Sequence, residues 1–146
     1  MAEVRLRQAD DADTDRLVAV WRSAVEATHH FLTPADIYGY ADRLARDYFP
    51  AVELVVAEAD GVVVGFSGTA ENRLEMLFVD PAAHGRGLGT VLTLAGLHHL
   101  HDRGLDTVLV ANGEEGEPAS VKDRWLLRNR PHLILDGVRL AAQIVG

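Results

Sequence analysis

Leu77-Phe78-Val79-Asp80-Pro81-Ala82-Ala83-His84-Gly85-Arg86-Gly87-Leu88-Gly89-Thr90 reads as a strand end, a turn with three alternating glycines, and a helix start. Asp80-Pro81 closes the strand, because proline lacks the donor that a ladder needs. Glycines let the backbone turn sharply and come close to a ligand. The first-turn N–H groups of the following helix have no acceptor of their own, and the helix dipole favours an anion beside them. The segment therefore predicts a phosphate or pyrophosphate site built from main-chain amides; the alternative is a glycine-rich turn without a ligand. Val91, Leu92 and Ala95 are expected on the inner face of the helix. The spacing is not G-x-x-x-x-G-K-[ST], so a Walker-type nucleotide site is unsupported. Gly85 and Gly87 are followed by Thr90 where the dinucleotide fingerprint has a third glycine, and the segment sits mid-chain rather than in a first βαβ unit.

Upstream, Arg73 to Val79 forms the strand that leads into this turn. Leu54-Val55-Val56-Ala57 and Val62-Val63-Val64-Gly65-Phe66 read as a strand pair, joined by Asp60-Gly61, a hairpin signal because its turn needs positive φ. A helical stretch is expected from about Pro34 to Tyr48. Before it, Leu17, Val20, Trp21, Ala24 and Val25 recur at helical spacing, behind an acidic start at Asp10-Asp11-Ala12-Asp13-Thr14-Asp15. Val4 and Leu6 alternate with Arg5 and Arg7, the period of a short half-buried strand.

Downstream, the helix runs to about Arg103 with Gly104 as its stop. Thr107-Val108-Leu109-Val110 reads as a strand and Pro118 to Pro131 as a helix. Leu133-Ile134-Leu135, Asp136-Gly137 and Val138 to Val145 read as a closing hairpin. The order β-α-α-β-β-β-α-β-α-β-β describes an α/β protein, a mixed sheet flanked by helices in one domain over residues 1–146.

Composition agrees. The chain has 146 residues, 48% hydrophobic and 25% charged, which suits one globular domain with a real core. A net charge of −8 argues against nucleic acid and, mildly, against anionic membranes as partners. The absence of cysteine excludes disulfides, thiolate metal sites and a Cys nucleophile, and fits a reducing, cytoplasmic setting. No apolar run approaches the ~20 residues of a membrane helix. The N-terminus carries no visible signal peptide.

The pattern His84-x-x-Gly87-x-Gly89, behind a strand ending Leu-Phe-Val-Asp-Pro, resembles the acetyl-CoA motif of GCN5-related N-acetyltransferases (GNAT). That motif reads Arg or Gln, two residues, Gly, one residue, Gly or Ala; His84 replaces its first residue. The element order is also that family's. Trp21 to Thr33, with Ala27-Thr28-His29 followed by Phe31-Leu32, is similar to the first-helix segment of small bacterial acetyltransferases of the YjaB type. The resemblance implies a GNAT acyl-CoA N-acyltransferase fold with acetyl-CoA as co-substrate and no metal. The acceptor would be the primary amine of a small molecule or peptide, and the chain a monomer or homodimer. Leu77, Phe78 and Val79 would offer backbone groups to the pantetheine arm. His84, Gly85, Arg86, Gly87, Leu88, Gly89 and Thr90 would cradle the pyrophosphate. Asn112 would meet the CoA arm, or is simply a loop asparagine.

Transfer in such a family is direct, so a base must take a proton from the amine. Glu75, two residues before Leu77, is the best-placed carboxylate; the bland alternative is a solvated strand residue. The family's acid is a Tyr on the helix after Asn112. Here Trp125 stands in that region, an indole cannot serve as an acid, and no Tyr follows Tyr48. That departure supports a second expectation, a CoA-binding module with weak or no transferase activity. His29 and His30 are candidate substrate residues, with Tyr38 and Tyr40 near them; local packing is the alternative. Ser67 would face the acceptor cleft or serve strand packing. His98, His99 and His101 suggest a metal site only superficially, because only His98 and His101 share a helix face; a solvated helix end is expected. Glu114, Glu115 and Glu117 form an acidic loop that could attract a cationic amine.

Overall fold

The structure is a computed structural model that describes residues 4–104 together with Asn129 and Arg139. The expected strand at 107–110, Asn112, the acidic loop, Trp125 and most of the closing hairpin lie outside the described residues. Asn129 is helical, as the 118–131 expectation requires. Arg139 is helical too, where a strand was expected. It is followed by Leu140-Ala141-Ala142, strong helix formers, and periodicity alone does not separate helix from strand in so short an apolar run.

The first seven elements come in the expected order: β1 (Val4–Gln8), α1 (Thr14–Thr28), α2 (Pro34–Arg43), β2 (Glu53–Ala59), β3 (Val62–Ala70), β4 (Arg73–Val79) and α3 (Leu88–Asp102). The four strands form one antiparallel sheet in the order β1-β2-β3-β4. Asp60 and Gly61 both take positive φ, 51° and 77°, the conformation their hairpin turn demands. α2 continues as a π-helical turn over Leu44–Tyr48, so the helical stretch ends where the sequence placed it.

Local chemistry sets the helix starts. Asp10 caps a short 3₁₀ turn over Asp11–Asp13 that leads into α1, and Asp13 returns a bond to the Asp10 amide at 2.9 Å. The Arg7 fork grips the Asp13 carboxylate, with Nη1 and Nη2 donating at 2.6 and 2.8 Å. That grip, ahead of a desolvation effect of opposite sign, holds the Asp13 carboxyl below the usual carboxylate range. Thr33 and Asp36 form a capping box at α2, and Pro34 sits in its first turn.

Each face of the sheet carries a core. On one, Leu17, Val20, Trp21 and Val25 of α1 and Ile37 of α2 bury Val56 and Phe66, with Met76 and Phe78 beside them. Phe66 stacks edge-on against Phe49 and tilted against Phe78, at 5.7 and 5.5 Å. On the other face, α3 lies over small residues. A Cβ on Gly96 would meet Leu74 Cδ1 at 2.9 Å, and one on Gly65 would meet Leu92 Cδ1 and the Phe78 carbonyl at 3.0 Å. This close approach fixes the inner stripe of α3 as Leu88, Leu92, Gly96 and Leu100. Of the expected residues only Leu92 is fully buried there; Ala95 is intermediate and Val91 is exposed. The glycine shifts the contact line by letting the helix touch at position 96. Val4 and Leu6 are exposed rather than half-buried; β1 lies at the edge of the sheet that the described residues form.

Candidate functional site

The glycine turn is anchored at both ends and open in the middle. At its start, Asp80 accepts the Ala82 amide at 3.1 Å and caps the Pro81–Ala83 turn. Ala83 is buried with Leu88 and Leu92. Between these anchors Gly85 and Gly87 both sit at φ +76°, a left-handed backbone that L side chains disfavour. A Cβ on Gly85, Gly87 or Gly89 would meet nothing within 4 Å. These glycines therefore do not serve internal packing. The amides of Gly85 through Thr90 donate to no acceptor among the described residues; the first helical bond is Val91 N–H to Gly87 O at 3.1 Å. A row of amides without acceptors at a helix start, with open space before it, has the chemistry to receive an anion.

His84 does not join that row. Its amide donates to Pro81 O, and its ring Nε2 donates to Val79 O at 3.1 Å. The free run begins at Gly85. Arg86 is exposed and has no ion-pair partner among the described residues, which leaves its charge available to an anion.

β4 leads to this turn. It pairs with β3 along one edge, and its other edge has no partner strand among the described residues. The ladder slips between Gly68 and Thr69: Gly68 faces Met76, but Thr69 faces Leu74. Glu75 is the extra residue, and bulges of this kind re-aim side chains. Its side chain is 37% exposed, with Arg73 Nε 2.9 Å from Glu75 Oε1. A second slip makes Val64 the extra residue of β3.

His29 and His30 line a cavity of about 430 Å³ between α1 and α2, with Arg22, Glu26, Leu32, Ile37 and Tyr38. Arg22 donates to Glu26 at 2.8 Å and lies 4.7 Å above the Tyr38 ring. Its bond to Glu26, then that to the Tyr38 hydroxyl, raises its already high pKa further. His29 Nδ1 lies 2.7 Å from Thr28 Oγ1. Tyr40 is exposed and does not line this cavity.

Ser67 takes the packing role of its two expected ones. It is buried, with its Oγ 4.0 Å from where a Gly96 Cβ would stand, so it faces α3 and not the α1–α2 cavity. The small hydroxyl belongs to the close helix–sheet contact. His98 and His101 are exposed, whereas His99 Nε2 lies 2.6 Å from Glu53 Oε2, a link from α3 to β2. Sequence reading missed the ion pairs Arg7–Asp13 and Arg16–Asp80. The latter joins residues far apart in the chain, and one sequence carries no signal for such a pairing.

Comparison with known proteins bears on this geometry. A mycothiol acetyltransferase of a Nocardioides species is 35% identical over 136 residues, covering 80% of this chain and 46% of the relative. The peptidyl-lysine N-acetyltransferase YjaB of Salmonella typhimurium is 33% identical over 90 residues, 61% of each chain. The solution structure of apo YjaB from Escherichia coli superposes with a TM-score of 0.59 at 32% identity, covering 66% of each chain. This chain thus spans less than two thirds of these relatives. The family described as the Nuo51 FMN-binding domain matches residues 83–146, under half of the chain. The likeness to the acetyltransferases extends to the fold, and the chain belongs to the GCN5-related N-acetyltransferase family. Among the described residues no helix is long and apolar enough to cross a membrane.

Proposed function

We propose that this chain is an acetyl-CoA-dependent N-acetyltransferase that modifies a primary amine of a small molecule or peptide. The observation that carries the reading is the row of amides from Gly85 to Thr90 without acceptors among the described residues, at the end of β4. The pyrophosphate of CoA would take those amides, with Arg86 beside it, and its pantetheine arm would run along Leu77–Val79. Glu75 lies four residues before Val79, about 13 Å along the strand.

In the reaction, the amine nitrogen attacks the thioester carbonyl carbon. The N–C bond forms, the C–S bond breaks, and CoA leaves as thiolate. Glu75 takes the proton that the amine nitrogen sheds, directly or through water. The leaving thiolate then takes a proton from water. A thiolate is a far weaker base than the alkoxide an oxygen ester would release, so it can leave without a side-chain acid. The α1–α2 cavity with His29 and His30 would hold the acceptor. A peptidyl-lysine is an acceptor class named for the Salmonella relative, and it is the first to test.

The similarity of residues 83–146 to an FMN-binding domain favours a second reading, in which the same row of amides takes the phosphate of a flavin mononucleotide. Calorimetric titration with acetyl-CoA, CoA, FMN and ATP separates the two. Micromolar binding of acetyl-CoA alone supports the transferase. Binding of FMN without CoA removes it. If CoA binds, Glu75→Gln is expected to slow turnover on an amine acceptor while sparing CoA affinity; unchanged turnover would take Glu75 out of the mechanism. CoA binding without turnover on any amine would leave the CoA-binding module as the function.

A further inference from the structure

We propose that Arg16 is a positioning residue for the glycine loop: it holds Asp80 so that the free amides from Gly85 onward are set before a ligand arrives. The proposal rests on the CoA reading of that loop. Arg16 extends from α1 across the end of the sheet. Its Nε donates to Val63 O and its Nη2 to Asp80 Oδ2, both at 2.8 Å. Asp80 is thereby held at every polar atom. Oδ1 takes the Ala82 amide, its carbonyl takes the Ala83 amide, and its own amide donates to Val64 O at 2.8 Å.

The bulge in β3 makes this possible. Because Val64 is an extra residue, the neighbouring carbonyls of Val63 and Val64 meet Arg16 and Asp80, one each. A guanidinium suits the task because its planar fork reaches two acceptors at once; an ammonium is a point charge without that geometry. The Asp80 side chain is only 17% exposed, so the pair is partly shielded from water and salt. The left-handed glycines beyond the Pro81–Ala83 turn give the loop no stiffness of their own. Its direction depends on the anchors, Asp80 before it and Leu88 after it.

The same helix reaches the acceptor cavity with Arg22, Glu26 and His29. Arg16 thus ties that helix to the cofactor loop. It touches neither the reacting atoms nor the amides themselves.

The test compares wild type with Arg16→Gln, Asp80→Asn, the double variant and Arg16→Lys, by calorimetric titration with CoA well below each variant's melting temperature. Asn at position 80 can still accept the Ala82 amide, so that variant removes the ion pair and keeps the cap. Each single change is expected to weaken CoA binding about tenfold, as loss of a charged hydrogen bond predicts. The double variant should be no weaker than the worse single one, and Arg16→Lys should recover part of the loss. In turnover, the KM for acetyl-CoA should rise while kcat at saturation holds. A merely structural role would lower the melting temperature and leave CoA affinity unchanged in the folded molecules, and that result overturns the proposal. So do single effects that multiply in the double variant. Should wild type bind no CoA, the CoA reading fails by itself. Amide hydrogen exchange at Gly85 to Leu88 then decides the positioning: faster exchange in Arg16→Gln upholds it, and unchanged exchange overturns it.

Discussion

The glycines of the helix–sheet contact and those of the loop before α3 use the same residue for opposite ends. At Gly65 and Gly96 an added Cβ would meet neighbours at 3.0 and 2.9 Å, so glycine there brings helix and sheet together. At Gly85, Gly87 and Gly89 a Cβ would meet nothing within 4 Å, yet two of the three hold left-handed backbone. The first region is closed because its glycines complete a core. The second is kept open, and its amides are left without acceptors. Empty space alone does not mark a ligand site, since Gly61 in the hairpin turn and Gly104 after α3 have it too. What sets the loop apart is that space together with a run of amides that have no acceptor among the described residues.

The largest expected effect lies in the closed region. Gly65→Val should cost about 2–3 kcal/mol in urea unfolding, since the new side chain presses on Leu92, Val79 and the Phe78 carbonyl. A neutral result would erase the distinction between the two regions. Next comes the loop itself. Gly87→Ala should cost about 1–2 kcal/mol, from left-handed strain alone because there is space for the methyl group. It should also weaken CoA binding in the same titration.

The smallest and most discriminating change is Gly89→Ala. Position 89 is helical and has no positive φ, so alanine should raise stability by up to about 1 kcal/mol. CoA affinity should fall nonetheless, because the methyl group stands where the phosphate would approach. Opposite signs for stability and affinity are the mark of a ligand-facing glycine. Paired signs would mean that the loop is structural.

Acid provides a check that belongs to neither region. Arg7 lowers the Asp13 carboxyl pKa in the folded state, so that carboxylate stabilises the fold fully above its unfolded pKa, near 4. The stabilisation disappears as pH falls through the lower folded value. Unfolding measured from pH 6 down to pH 2 should show this acid limb in wild type, Gly65→Val and Gly89→Ala alike. Asp13→Asn should flatten it.

Much of this was legible in the sequence. Leu17, Val20, Trp21, Ala24 and Val25 fixed the buried face of α1, and Asp60-Gly61 fixed the hairpin turn. The glycine loop was legible because its chemistry is local: a strand, a proline and glycines in series. Val91 was misplaced because helical periodicity does not reveal that Gly96 lets α3 touch the sheet one turn further on. Of the two readings of Ser67 the packing one holds, though only the structure shows that α3 is what covers it. Strand alternation gives two faces but does not say which helix covers which. The bulges at Val64 and Glu75 and the Arg16–Asp80 pair depend on register between strands, which no single segment encodes.

The central claim is that the amides from Gly85 to Thr90 bind the pyrophosphate of CoA. The most direct measurement is a two-dimensional amide NMR titration of the labelled chain with CoA, repeated with Gly89→Leu. The account predicts saturable shifts concentrated at Gly85 to Thr90 and along Leu77 to Val79, lost in the variant while its spectrum stays folded. Saturable shifts confined to other parts of the chain, or an undisturbed loop at millimolar CoA, would contradict it.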